Sequence, residues 1–278
     1  TRVDITDMAA WCNIDFENSA ANPTQYAKKL YLNGTEVTEA VIPSDASEVK
    51  PYVFQGLTSL TGVTIHDGIT AIGAGTFEDC SALSGITIPA SVVSIGDQAF
   101  NGCKMLSRVD ISNLSAWCRI DFASEMSNPL NEGGKLYLEG GELTTAAIPA
   151  DITEIKQFAF YGCGSLTGVT LHNGITSVGK RAFAECMGIT EITVPASVTY
   201  LGYEAFCNNN LTTARVLSTT PCELGKHIAG GGIFEQKVYY NQFGKYGNAK
   251  IYVPAESLYD YKAATGWSTM ADNIYPME

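Results

Sequence analysis

Basic residues are scarce in this chain: 17 lysines and arginines and three histidines stand against 29 acidic residues among 278, a net charge of −12. The few cations are scattered, which excludes a surface built to track phosphates; nucleic acid is not an expected partner, and anionic membranes are disfavoured on the same ground. No run of 18 apolar residues occurs, so a membrane-spanning helix is excluded and no membrane insertion of this segment is expected. The first residues hold no basic region followed by an apolar stretch, and so are not a secretory leader. Catalytic and metal motifs are missing as well. There is no Gly-x-Ser-x-Gly elbow, no His-Glu-x-x-His, no calcium-loop spacing and no Cys-x-x-Cys. Charged residues make up only 17% of the chain, which leaves few helix-rich stretches.

What is present is a rhythm. The second apolar residue of a short strand-like string falls at Ile5, Ile42, Ile65, Ile88, Ile111, Ile148, Leu171, Val194, Val216 and Val253. Successive steps are 37, 23, 23, 23, 37, 23, 23, 22 and 37 residues. Residues 1–60 and 107–166 share 29 of 60 identities without a gap, among them Trp11/Trp117, Cys12/Cys118 and Asn22-Pro23/Asn128-Pro129. Repeats of this length describe a solenoid, in which each coil buries its apolar face only against its neighbours. In one coil, Val63-Thr64-Ile65 alternates with period two, Asp67-Gly68 signals a turn, Ile69 to Ile72 is a second extended piece, and Phe77 to Cys80 fits one helical turn. Pro43, Pro89, Pro149, Pro195 and Pro254 each follow the strand, where a missing N–H is tolerated. Stacking would set Asp4, Val41, Thr64, Thr87, Asp110, Ala147, Thr170, Thr193 and Arg215 in one outward row of a parallel sheet.

The recurring string φ-x-φ-Pro-x-x-φ-x-x-Ile-Gly-x-x-Ala-Phe-x-x-Cys-x-x-Leu resembles the BspA-like leucine-rich repeat family of bacterial surface proteins. Residues 86–106 match it almost throughout; 61–83, 147–166 and 167–189 match with Thr76 in place of Ala and with His66 and His172 in place of Pro. Residues 251–267 are similar to the closing segment common in that family. The resemblance implies secreted or surface-anchored binding proteins whose ligands vary.

The 37-residue steps carry 14 extra residues. Lys29 to Val37, with Asn33-Gly34 at its centre, reads as a hairpin, and Lys135 to Leu143 is its counterpart. Lys237 to Asn241 is a fainter echo. The leucines should face the core and the tyrosines away from it, with equivalent hairpins roughly 20 Å apart at sheet spacing. Tyr31 and Tyr137 either offer repeated contacts to an extended ligand or pack on Trp11 and Trp117; packing is the favoured of the two. Cys80, Cys103, Cys163 and Cys186 recur at one repeat position and read as small buried thiols in a ladder, not as a disulfide framework. His66 and His172 read as solvated turn residues too far apart to share a metal, and no cofactor is expected. Gly225 to Gly232 lacks the Lys-Ser/Thr of a phosphate loop and reads as flexible.

The expected architecture is therefore mainly β, of leucine-rich-repeat type: a right-handed solenoid of about ten coils with short parallel strands, two inserted hairpins and a C-terminal helical cap. Residues 1–217 form the solenoid, in supermodules 1–106 and 107–211, and 218–278 close it with a short helix bearing Leu258, Tyr261 and Ala264; Tyr252, Tyr261 and Trp267 are expected to be part of this lid and not of a ligand site. The expected function is non-catalytic adhesion to a host or bacterial surface protein or glycan, by a monomer at the bacterial cell surface whose leader has been removed. Tyr31, Tyr137, Thr64, Thr87, Asp110, Thr170 and Thr193 are the candidate contacts. A structural spacer without a ligand is the second reading. An enzyme is third, for want of a convergent acid, base and nucleophile.

Overall fold

A computed structural model describes residues 2–207, 210–229, 237–239, 243–244 and 249–278. The expected features at Gly230 to Gly232, Tyr240 and Asn241, and the side chain of His227, lie outside the described residues. The chain divides into two compact units, Thr1–Glu142 and Leu143–Glu278. It is built of many short parallel strands and few helices; among the described residues no α-helix is longer than Leu258–Ala263.

In the first unit the outward strands are β1 (Val3–Ile5), β2 (Leu30–Leu32), β3 (Thr35–Glu36), β4 (Glu39–Val41), β5 (Gly62–Thr64), β6 (Gly85–Thr87), β7 (Arg108–Ile111), β8 (Lys135–Leu138) and β9 (Gly141–Glu142). The pairs β1–β2, β4–β5, β6–β7 and β7–β8 are parallel. β2 returns antiparallel to β3 through Asn33-Gly34, and β8 to β9 through Glu139-Gly140; all four turn residues have positive φ. A second ladder stacks the two-residue strands Glu48–Val49, Ala71–Ile72, Ser94–Ile95 and Asp121–Phe122. The turn after each closes the repeat, and its amides bond to the repeat ahead: Phe54 N–H donates to Thr76 O at 3.1 Å, Phe77 N–H to Ala99 O at 2.9 Å.

The alternation in sequence sets the faces. Val63 and Ile65 are buried while Thr64 between them is exposed. Phe54, Phe77 and Phe100 are fully buried and stack at 5.8 and 5.4 Å between ring centroids. Burial of each such side chain contributes on the order of 2 kcal/mol. The thiols at the next buried position have a bonding role: Cys80 donates to Phe54 O at 3.0 Å and Cys103 to Phe77 O at 3.1 Å, tying each repeat to the one before. All eight cysteines are buried thiols.

The glycine of each Ile-Gly pair is required by close approach. A Cβ on Gly96 would lie 2.4 Å from the backbone N of Ala74, and one on Gly73 would lie 2.4 Å from that of Pro51. The long repeats are braced by buried polar groups. Trp11 Nε1–H donates to Val53 O at 2.9 Å, and buried Asn22 donates to Tyr52 O at 2.6 Å while accepting from Thr24 N–H at 2.9 Å. That explains why Trp11/Trp117 and Asn22-Pro23/Asn128-Pro129 recur: both tryptophans and both asparagines are interior.

In the second unit the outward strands are β10 (Thr145–Ala147), β11 (Gly168–Thr170), β12 (Glu191–Val194), β13 (Thr213–Val216), β14 (Lys250–Val253) and β15 (Ile274–Pro276). β10 pairs with β11, and β12, β13, β14 and β15 form one parallel sheet in that order. Phe160, Phe183, Phe206 and Phe243 stack at 5.0, 5.4 and 6.0 Å, and Trp267 follows at 5.9 Å. Trp267 Nε1–H donates to Cys222 O at 2.8 Å and Tyr261 Oη–H to Ser218 O at 2.9 Å. Beyond Leu258–Ala263 comes a 3₁₀ helix, Trp267–Asn273, and then β15, an edge strand that sequence reasoning did not foresee.

One expectation needs correction. His66 and His172 are half-buried brackets, not solvated turns: their Nε2 atoms lie 2.7 Å from Pro43 O and 3.0 Å from Pro149 O, each 23 residues back. Tyr252 packs on Tyr275 within residues 218–278 and also lies on the outward face of β14, because Ile251 and Val253 on either side take the buried positions.

Candidate binding surface

The outward row brings several of the candidate contacts together. In the first unit Thr64 lies beside Val41, and Asp110 lies between Thr87 and Tyr137 in one parallel register. Asp4 is likewise in register with Tyr31. The tyrosine strands therefore join the row as rungs of their own, next to the aspartates. In the second unit Thr170 pairs with Ala147, and Thr193 pairs with Arg215, which is followed by Tyr252 and Tyr275. Thr64, Thr87, Thr170 and Thr193 are exposed, while Tyr31, Tyr137 and Asp110 are half-buried.

Neither tyrosine packs on tryptophan, as the favoured expectation held. Trp11 meets Phe16 at 5.4 Å and Trp117 meets Phe122 at 5.4 Å. Each tyrosine instead lies under an arginine: the guanidinium of Arg2 is 4.4 Å from the Tyr31 centroid and that of Arg108 is 4.0 Å from Tyr137. The aspartate of the row holds the arginine in place. Arg108 reaches Asp110 through Nε at 2.6 Å and Nη2 at 2.7 Å, and Arg2 reaches Asp4 at 3.0 Å. Lys29 also bridges Glu36 at 3.3 Å and Lys135 bridges Glu142 at 3.0 Å; the Tyr31 hydroxyl donates to Glu36 at 3.2 Å. The Glu142 carboxylate, hydrogen-bonded to the Lys135 amine, raises its pKa.

The same five residues thus build the same cluster twice: Arg2, Asp4, Lys29, Tyr31 and Glu36, then Arg108, Asp110, Lys135, Tyr137 and Glu142. All five survive between copies that differ at about half of their positions. A second retained bridge, Lys50 to Glu48 at 2.8 Å, has its counterpart in Lys156 to Glu154 at 3.2 Å, and neither includes an aromatic ring. An isolated exposed ion pair adds little to stability, while a bidentate pair within a network adds more, so stability accounts for part of the retention of the cluster. Sequence reasoning found the tyrosines and Asp110 but missed Arg2, Arg108, Lys29, Lys135, Glu36 and Glu142. The available signal was their identity between the two copies.

The sequence model of the BspA type leucine rich repeat region matches in six copies over residues 24–123 and 133–225, well over half of the sequence. The chain belongs to the BspA-type leucine-rich repeat family. No curated protein matches this family member. Among solved structures it is similar to a leucine-rich repeat protein from Eubacterium ventriosum, at 25% identity and a TM-score of 0.46, over 66% of this chain and 45% of that one. The chain thus spans less than half the length of that protein. It is also similar to the pneumococcal vaccine antigen PcpA, at 14% identity and a TM-score of 0.36, over 88% of this chain and 80% of the other. A leucine rich cell surface protein of Faecalibacterium prausnitzii shares 17% identity at a TM-score of 0.33, over 99% of this chain and 83% of the other. Among the described residues of this BspA-type chain no helix is long and apolar enough to cross a membrane.

Proposed function

We propose that this BspA-type chain is a non-catalytic binding module displayed at a bacterial cell surface, which adheres to a host or microbial macromolecule, protein or glycan, through the outward row of its parallel strands. The observation that carries the reading is the twofold occurrence of the Arg–Asp–Tyr–Lys–Glu cluster, which sets an aromatic ring among fixed charges on the outward row in both copies. Tyr31, Tyr137 and Asp110 supply the contacts within the clusters, and Thr64, Thr87, Thr170 and Thr193 supply lesser ones along the row. The finer architecture belongs to the same proposal. It is a right-handed solenoid of about ten coils in supermodules 1–106 and 107–211, with two inserted hairpins and residues 218–278 as a closing cap, acting as a monomer.

A glycan and matrix-protein array tests the function. Binding is expected, with at least a tenfold loss of affinity in the Tyr31→Ala/Tyr137→Ala double variant. An array blank at about 100 μM would leave the chain a spacer. Binding undiminished in the double variant would exclude the clusters as the site.

A further inference from the structure

At the C-terminal end of the second unit the row changes character. Arg215, Tyr252 and Tyr275 are in register on β13, β14 and β15. The two tyrosine rings lie 5.9 Å apart, tilted by 38°, and Tyr275 is 39% exposed. Arg215 is held by Glu191 at 3.0 Å. Beside them lies a cleft of about 530 Å³, lined by Thr213, Arg215, Tyr252, Pro276, Met277 and Glu278. No arginine covers the Tyr252 ring as Arg2 and Arg108 cover Tyr31 and Tyr137, among the ring contacts of the described residues.

We infer that this cleft is a binding subsite for a neutral hexopyranose ring. A volume in the range of small-molecule pockets fits one or two such rings. Tyr252, backed by Tyr275, supplies an aromatic wall for the C–H face of a sugar. Arg215 and the Thr213 hydroxyl donate hydrogen bonds and the Glu278 carboxylate accepts them, which matches vicinal hydroxyls that do both. The charge balance selects against the alternatives: the one guanidinium of the lining is already paired with Glu191 and stands with the Glu278 carboxylate, which disfavours a phosphate or an acidic sugar, while Arg215 beside the aromatic wall disfavours an organic cation. The lining is too polar for a lipid tail.

The inference rests on the outward face being a binding surface, and it is tested without the array. Saturation-transfer NMR is run on the full chain with methyl α-mannoside, methyl β-glucoside, methyl β-galactoside and N-acetylglucosamine, each at about 50 mM. At least one is expected to bind with a dissociation constant of roughly 1–10 mM, as befits a single ring. Arg215→Gln, at an exposed position, and Tyr252→Ala, with its circular dichroism unchanged, are each expected to weaken binding at least fivefold, while Tyr31→Ala/Tyr137→Ala leaves it unaltered. No transfer from any of the four sugars overturns the inference, and so does transfer that persists in both cleft variants. If the array shows a ligand whose binding needs Tyr31 and Tyr137 while these sugars show no transfer, the cleft falls and the adhesion reading stands. Transfer with a blank array gives the reverse.

Discussion

Gly96→Ala should destabilise this protein far more than one methyl group usually does. The added Cβ would meet the Ala74 backbone N at 2.4 Å, the Ala74 Cα at 2.8 Å and the Gly73 carbonyl carbon at 2.8 Å. These are backbone atoms, so no side chain can rotate away; relief requires moving the two repeats apart locally by about 1 Å, against a rung spacing of about 4.8 Å. Three cross-repeat hydrogen bonds flank the contact: Gly96 N–H to Ile72 O at 2.8 Å, Gly75 N–H to Asp97 O at 2.9 Å and Phe77 N–H to Ala99 O at 2.9 Å. Lengthened by about 1 Å they leave hydrogen-bonding range. Losing two or three of them costs roughly 2–3 kcal/mol, and residual overpacking adds about 1–2 kcal/mol. The expected total is about 3–5 kcal/mol, or a fall in Tm of roughly 10 °C for a chain of this size. Gly168→Ala is the control, because its Cβ would meet only Thr145 Cγ2, at an ordinary 3.6 Å; it should change stability by less than about 1 kcal/mol. Urea unfolding followed by circular dichroism measures both. A Gly96→Ala midpoint indistinguishable from that of Gly168→Ala would refute the account of why Gly73 and Gly96 follow their strands.

Asp79 sits at φ 59° where the equivalent residues of other repeats are Gly56, Gly102 and Gly162, and its exposed contact with Lys28 is long, at 3.8 Å. Asp79→Gly should therefore raise stability, by about 0.5–1 kcal/mol in thermal unfolding, and a loss would show that the side chain contributes more than its backbone strain costs. Burial pushes the Cys103 and Cys222 thiols up from 9.0 to about 12 and Cys12 up to about 11. Since these folded-state values are raised, the stability from keeping the thiols neutral is complete below about pH 9 and is lost as pH climbs towards 12. A thiol reagent at pH 8 should label almost none of the eight cysteines before unfolding and all eight after it; rapid labelling of the native protein would contradict the burial. Trp267→Phe leaves the Cys222 carbonyl without the indole N–H that it accepts from and should cost about 1–3 kcal/mol, whereas a change below about 0.5 kcal/mol would deny that bond a structural role.

The repeats were legible because their signals are local and redundant. Val63-Thr64-Ile65 alternates, Phe77 and Cys80 recur on schedule, and the family string repeats over most of the chain. The clusters were only half legible. Periodicity placed Asp110 and Tyr137 outward, but the pairing of β7 with β8, 27 residues on, is set by how the long repeat folds back, and no 23-residue rule predicts it. Arg108 and Lys135 looked like scattered surface charges until that pairing set them beside one ring. His66 and His172 were misread because an imidazole can bond a carbonyl of the previous repeat at a position where proline bonds nothing. β15 was missed because Ile274-Tyr275-Pro276 is too short to show a period.

The thiol-to-carbonyl ties, the turn amides and most rungs of the strand ladders have one property in common: each closes a chain loop of only some 22 to 27 residues, whereas the β13–β14 rung closes 37. Loop closure of that length is inexpensive in entropy and does not grow as repeats are added. Sequence-local contacts of this kind also favour fast folding. A polypeptide threaded end-first through a narrow channel can therefore become structured as it emerges. Most bonds of an arriving repeat need only its predecessor as a template, while Trp11 and the closing Trp267 bond across 42 and 45 residues.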